Sequence, residues 1–190
     1  MDKISIDTSK TALVIIDLQK GIASRETAPY TSDLVIKNAS MLADAFRKKN
    51  MPVFLVRVKS SADGKDMLSP IADQSMAYSP PPPDWADIVP QLGPDPKDFI
   101  ITKHQWGAFH GTELELQFRR RGITTMVLSG ISTNIGVEST ARFAFEYGFN
   151  QIFAEDAMAA LSAEEHAFTI TKTFPRIGLV RSTQQIIDAL

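Results

Sequence analysis

Apolar residues in this chain come in short unbroken blocks, with little polar alternation. Ala12-Leu13-Val14-Ile15-Ile16 is the first block and ends at Asp17. Pro52 to Val58 is the second, and Phe99-Ile100-Ile101-Thr102, ending at Lys103, is the third. Thr125 to Gly130, Gln151-Ile152-Phe153-Ala154 and Ile177-Gly178-Leu179-Val180 complete the series. Blocks without alternation suit strands covered on both faces, as in a parallel sheet. The stretches between them read as helices. From Ser32 to Lys49, the residues Val35, Ala39, Leu42 and Phe46 fall on one helical face, and Lys48 and Lys49 sit where the helix dipole favours cations. Thr112-Glu113-Leu114-Glu115, Ser162-Ala163-Glu164-Glu165 and Ser182-Thr183-Gln184-Gln185 have the form of capping boxes. Arg119-Arg120-Arg121-Gly122 reads as a basic last turn followed by a glycine stop, and a helix from Asn134 to Tyr147 is stopped by Gly148.

Strand and helix alternating in this way predict right-handed crossovers with helices on both faces of one sheet. Such sheets place their sites at the carboxyl ends of the strands. Three features fall there: Asp17, Lys103 and the turn Ile131-Ser132-Thr133-Asn134-Ile135-Gly136. One stretch breaks the alternation. Residues 59–98 hold eight of the eleven prolines, including Pro80-Pro81-Pro82-Pro83. So long a connection suits a lid or a subunit contact in preference to a surface loop packed around Trp85.

Composition narrows the picture. The 190 residues suit one domain, residues 1–190. A formal net charge of −2 gives no electrostatic drive toward nucleic acid or an anionic membrane. No apolar run is long enough to cross a bilayer. Met1-Asp2-Lys3-Ile4-Ser5 lacks the charged-then-apolar form of a signal peptide, so the expected compartment is the cytoplasm. The chain has no cysteine, which excludes disulfides, thiolate metal sites and a cysteine nucleophile.

Three segments together carry a family likeness. Leu13-Val14-Ile15-Ile16-Asp17-Leu18-Gln19, Lys103 with Trp106-Gly107-Ala108-Phe109 and Thr112-Glu113-Leu114, and Ser129-Gly130-Ile131-Ser132-Thr133-Asn134-Ile135-Gly136-Val137-Glu138-Ser139-Thr140-Ala141-Arg142 occur in that order. The chain resembles the isochorismatase-like hydrolases in all three, over nearly its whole length. The resemblance implies a three-layer, doubly wound, Rossmann-like α/β fold with a six-stranded parallel sheet in the order 3-2-1-4-5-6. In the family's amidases an aspartate acts as base, a lysine polarises the site and a cysteine attacks. Those positions correspond to Asp17, Lys103 and Gly136, so the nucleophile position here carries no side chain. The resemblance further implies a cis peptide between Ile131 and Ser132, and an anion hole from the backbone N–H groups of Ser132 and Gly136. Trp106, Phe109, Thr133 and Asn134 are candidate substrate contacts.

What such a site can do follows from the chemistry left to it. Covalent catalysis by a side chain at position 136 is impossible. The true isochorismatases also lack the cysteine; their aspartate handles a proton while water adds to the cation formed from a vinyl ether. Their turn carries an aromatic and a histidine before the glycine, where this chain has Ser132 to Ile135, so it looks closer to a bacterial branch with glycine in the cysteine position. A hydrolase of a small anionic molecule, working without a covalent intermediate, is the expected function. The alternative is a ligand-binding or regulatory protein on the same scaffold. Taken singly, each residue has a plainer role: Asp17 as a turn or helix cap, Lys103 as a solvated surface lysine, Gly136 for close packing of helix on sheet. His104 and His110 are expected in structural hydrogen bonds, and His166 is expected to be exposed. Nicotinamidases of the family bind a divalent ion just after the second strand; here that place reads Arg57-Val58-Lys59-Ser60, so neither a catalytic metal nor a cofactor is expected. The family usually associates, and a dimer or tetramer of this chain is expected.

Overall fold

The structure, a computed structural model, describes residues 4–73 and 80–190; part of the Pro-rich segment and the first three residues lie outside the described residues. β1 (Thr11–Ile16), β2 (Val53–Val58), β3 (Phe99–Lys103), β4 (Thr125–Ile131), β5 (Asn150–Ala159) and β6 (Leu179–Arg181) form one sheet in the order β3-β2-β1-β4-β5-β6. All five neighbouring pairs are parallel. β1 lies at the centre and is buried along its whole length.

Its side chains show why the unbroken apolar block is needed. Leu13 and Ile15 point to one face and join Val35, Ala39, Leu42 and Phe46 of α2 (Ser32–Lys48) and Ile186 of α6 (Thr183–Ile187). Ala12, Val14 and Ile16 point to the other and join Leu114 and Phe118 of α3 (Leu114–Arg120) and Ala141 and Ala144 of α4 (Glu138–Glu146). Two cores therefore share one strand, and each fully buried Leu, Ile or Phe contributes roughly 1.5–3 kcal/mol. Two short helices, α1 (Lys20–Ala23) and α5 (Ala163–Phe168), follow β1 and β5. Among the described residues no helix is long and apolar enough to cross a membrane.

Several local expectations need correction. The segment at Thr112 is not a capping box: Thr112 Oγ1 accepts from Leu114 N–H at 3.1 Å, but Glu115 turns outward to Arg119 at 3.3 Å. The boxes at Ser162 and Ser182 have both of their hydrogen bonds. The helix expected from Asn134 opens as a π turn over Thr133–Val137 and becomes α-helical only at Glu138. β5 runs on through Glu155 and Asp156, past the end of its apolar block. The Pro-rich segment is held at its C-terminal half. The Trp85 ring lies so close over Gly21 that a Cβ there would come within 1.8 Å of it, and Lys20 pairs with Asp84 at 3.0 Å.

Gly130 shows how tightly the centre is built. It pairs with Ile16 across the sheet at φ +125°, and a Cβ on it would lie 2.0 Å from the Ile16 carbonyl oxygen. Gly122, at φ +64°, has open space where its Cβ would be. Gly130→Ala should therefore cost at least about 3 kcal/mol in urea unfolding, where Gly122→Ala, which pays only for the left-handed backbone, should cost about 1–2 kcal/mol. Equal losses would mean that the contact between β1 and β4 is not the limiting one.

Candidate functional site

Three strand ends meet at one edge of the sheet. Asp17 follows β1 directly, in the left-handed region at φ +54°, with its N–H donated to the Val56 carbonyl at 2.9 Å. A non-glycine residue there is uncommon, and aspartate tolerates it better than most. Lys103 is the last residue of β3. Its ammonium donates to Asp17 Oδ2 at 2.7 Å and to the Gln105 carbonyl at 3.1 Å. The two residues are separated by β2 in the sheet order, yet both side chains are buried, at 2% exposure for Lys103 and 6% for Asp17. The fold thus brings these two candidate residues into direct contact, and it encloses the pair.

Gly136 lies against this pair. A Cβ at that position would stand 3.1 Å from Asp17 Oδ2, 3.1 Å from Ile16 Cγ2 and 3.5 Å from the Trp106 carbonyl. The glycine thus leaves the space beside the carboxyl open. The peptide bond between Ile131 and Ser132 is cis, and the Ser132 carbonyl accepts from the N–H groups of Ile135 and Val137, both at 3.2 Å. Asp17 Oδ1 and Asn134 Oδ1 are buried without a hydrogen-bond partner among the described residues. Burial raises the Asp17 carboxyl to about pKa 6, against the opposing charge and hydrogen bond of Lys103.

The remaining candidates separate. Trp106 is 61% exposed, while its carbonyl borders the Gly136 space. Phe109 faces away from the site: it is 4% exposed and stacks on Phe149 with Phe118 edge-on, so it belongs to the core. Thr133 is fully buried, with its Oγ1 2.9 Å from His166 Nδ1. That overturns the expected exposure of His166, which is 4% exposed, meets the edge of Tyr30 and is pushed down in pKa by burial, toward the neutral form. His104 bonds instead to Asp66 at 3.0 Å. At the end of β2, Arg57 donates to Thr102 at 3.1 Å and Lys59 follows, so this edge offers cations where a divalent metal would need acidic or imidazole ligands.

Two residues that position the site were not singled out from the sequence. Gln19 has no exposed surface: its amide donates to the Val58 carbonyl at 3.0 Å and its Oε1 accepts from Val58 N–H at 2.8 Å. The side chain pairs with β2 as another strand residue would, and it reaches the Trp85 carbonyl at 3.3 Å. Its place two residues after Asp17 was the available signal. Thr140 is the other: its hydroxyl donates to the Gly136 carbonyl at 2.7 Å and accepts from Ala108 N–H at 3.1 Å, joining the lysine segment to the glycine turn.

Comparison with known proteins bears on this arrangement. Residues 11–185 match the model of the isochorismatase domain. An uncharacterised isochorismatase family protein of Escherichia coli O157:H7, YecD, is 50% identical over 98% of this chain and 100% of its own length. Enterobactin synthase component B of Escherichia coli strain K12 is 26% identical, over 97% of this chain and 65% of that protein. The solved structure of an isochorismatase family protein from Burkholderia thailandensis superposes with a TM-score of 0.94 at 41% identity, covering 98% of this chain and 97% of that one.

The raised Asp17 carboxyl generates a test. Its folded value, about 6, lies above the unfolded one of 3.8, so the linked stability is full below about pH 4 and falls as pH rises through 6. The total is about 3 kcal/mol. Carboxyl carbon NMR of labelled aspartate should show one midpoint near 6, moving higher in Lys103→Met, which loses the stabilising cation. A midpoint near 4 in both proteins would show the carboxyl to be solvated.

Proposed function

We propose, from the premise that the chain belongs to the isochorismatase family, that it is a hydrolase of a small anionic molecule, working through Asp17 and Lys103 without a covalent intermediate. The observation that carries this reading is the buried pair at 2.7 Å beside a residue with no side chain. Gly136 offers no side-chain nucleophile, and no side chain of its own stands between the turn and the Asp17 carboxyl. Asp17 Oδ1 is buried and has no hydrogen-bond partner among the described residues.

The protonation state suits transfer of a proton. With a pKa of about 6, roughly a tenth of the Asp17 carboxyls hold a proton at pH 7. For a vinyl ether the balanced sequence is short. Asp17 gives its proton to the terminal vinyl carbon, and an oxocarbenium ion forms. Water adds to that ion and returns a proton to the carboxylate. The hemiketal then collapses to a carbonyl compound and an alcohol. Lys103, holding Oδ2, keeps the carboxylate product of the first step stable and aimed. The N–H groups of Ser132 and Gly136 are the proposed donors to an anionic group of the substrate, and Trp106, Thr133 and Asn134 the residues around it. Proton transfer by a placed group contributes about 10²–10⁴-fold in rate.

The test is a screen of small anionic metabolites by thermal shift, followed by product analysis of each hit. Asp17→Asn should lower turnover by at least about a hundredfold with binding retained, and Lys103→Met should lower it as well. Turnover at the normal rate in either variant would sink the mechanism. Binding without any product in the native protein would favour the alternative, a ligand-binding protein on this scaffold.

An oligomer of this chain is part of the same proposal. Trp106, Phe143 and Tyr147 leave large apolar side chains exposed, at 61%, 37% and 37%. Light scattering at micromolar concentration should give a dimer or tetramer; a monomer would overturn it.

A further inference from the structure

Away from Asp17 and Lys103, α4, the end of α5 and the segment after it border an open surface hollow. Its volume is about 410 Å³, and it is lined by Arg142, Phe168, Lys172, Thr173, Arg176 and Ile177. None of these residues belongs to the pair or to the glycine turn. The volume lies in the range of small-molecule sites.

The charge of this cavity is uneven for a protein with a net charge of −2. Three of its six lining residues are cationic and none is acidic. The carboxylate that pairs with a lining residue, Glu138, is already engaged: its Oε1 accepts from Arg142 Nε at 2.9 Å and from Arg142 Nη2 at 2.6 Å, and its Oε2 accepts from Thr169 at 2.6 Å. Among the described residues Lys172 and Arg176 have no ion-pair partner. Three cations against one carboxylate leave two positive charges facing a single hollow. A solvated basic surface would have no need of an apolar wall, yet the rest of the lining is Phe168, 62% exposed, Ile177 and Thr173, whose hydroxyl turns to Glu138 at 3.5 Å. Glu138 holds Arg142 along one edge of its guanidinium and leaves Nη1 available.

From this juxtaposition we infer that the cavity between Arg142, Lys172 and Arg176 is a second binding site, for a small dianion joined to a compact apolar body, such as a phosphomonoester. The cations take the phosphoryl oxygens, with Arg176 and Arg142 suited to paired contacts and Lys172 to a point charge. Phe168 and Ile177 cover the apolar part. The site is placed to be felt at the catalytic turn. Glu138 lies two residues after Gly136, and its other partner, Thr169, lies three residues after His166, which bonds Thr133. Occupancy would hold α4 and the segment after α5 together at the point where both support that turn.

Isothermal titration of the full chain with phenyl phosphate, inorganic phosphate and phenol tests the assignment. Phenyl phosphate should bind more tightly than phosphate, and phenol should show no heat. The double variant Lys172→Ala with Arg176→Ala, both exposed positions outside the catalytic machinery, should raise the phenyl phosphate dissociation constant at least about tenfold. Lys103→Met should leave it unchanged. No heat from phenyl phosphate up to about 10 mM, or an unchanged constant in the double variant, would overturn the site. Loss of binding in Lys103→Met would also overturn it, by placing the ligand at the buried pair. Equal affinity for phosphate and phenyl phosphate would overturn the role of the apolar wall.

Discussion

The arrangement depends on keeping one carboxylate and one ammonium together out of water. An ion pair as enclosed as Asp17 and Lys103 gains Coulomb energy in a low dielectric but loses hydration on both members, and the two effects are of similar size. It contributes little net stability as a pair, while losing either member strands the other at a cost of about 3–5 kcal/mol. The central sheet supplies the enclosure. β1 carries Asp17 into the interior between two cores, and β3 brings Lys103 to the same depth from two strands away. The surrounding bonds limit how either group can relax. Gln19 stitches the chain after Asp17 to β2, and the Gln105 carbonyl takes a second proton of the lysine. Burial keeps the Asp17 carboxyl pKa raised against the lowering pull of Lys103, a state suited to the proton transfer proposed above.

The strands were legible in the sequence because parallel, doubly covered strands need unbroken apolar blocks, and the blocks at residues 12–16, 52–58 and 125–130 have no competing helical period. The ends were harder to read. β5 extends over Glu155 and Asp156 because each finds a partner: Tyr30 donates to Glu155 at 2.9 Å, and Thr183 donates both its N–H and its hydroxyl to Asp156. Those partners lie far away in sequence, so no local pattern announces them. At the other margin Ile177 and Gly178 are apolar but turn before β6. A Cβ on Gly178 would sit 2.6 Å from the Gln151 carbonyl, so it is the contact with β5 that sets the boundary.

The candidate site divides along the same line. Asp17, Lys103 and Gly136 could be named from three motif segments, and the fold brings them together because all three lie at carboxyl ends of neighbouring or near-neighbouring strands. Side-chain direction was not legible. Trp106 and Phe109 are three residues apart in one irregular segment, where neither a helical nor a strand period assigns a face; one is exposed and the other is core. α5 inverts the usual rule, burying His166 and exposing Phe168. A six-residue helix has too few turns to show an apolar stripe, and here His166 is held inward by Thr133 and the Tyr30 ring, both distant in sequence.

Gly136 is where the constraint and the chemistry meet. A β-carbon at 3.1 Å from a carboxylate oxygen is tighter than an ordinary contact, so any side chain at this position has to share its space with Asp17. With glycine, the carboxyl needs no adjustment, and the oxygen that a Cβ would press against is the one held by Lys103. A larger residue would crowd the carboxyl against Ile16 as well, since Ile16 Cγ2 stands at the same distance on the other side. Thr140, which bonds the Gly136 carbonyl, and Ala108, which bonds Thr140, prevent the turn from retreating to make room. The absence of a side chain at 136 is therefore matched by its surroundings, and in the proposed mechanism it is the Asp17 carboxyl, whose Oδ1 is buried without a hydrogen-bond partner among the described residues, that acts on the bound molecule, rather than anything the turn itself could carry.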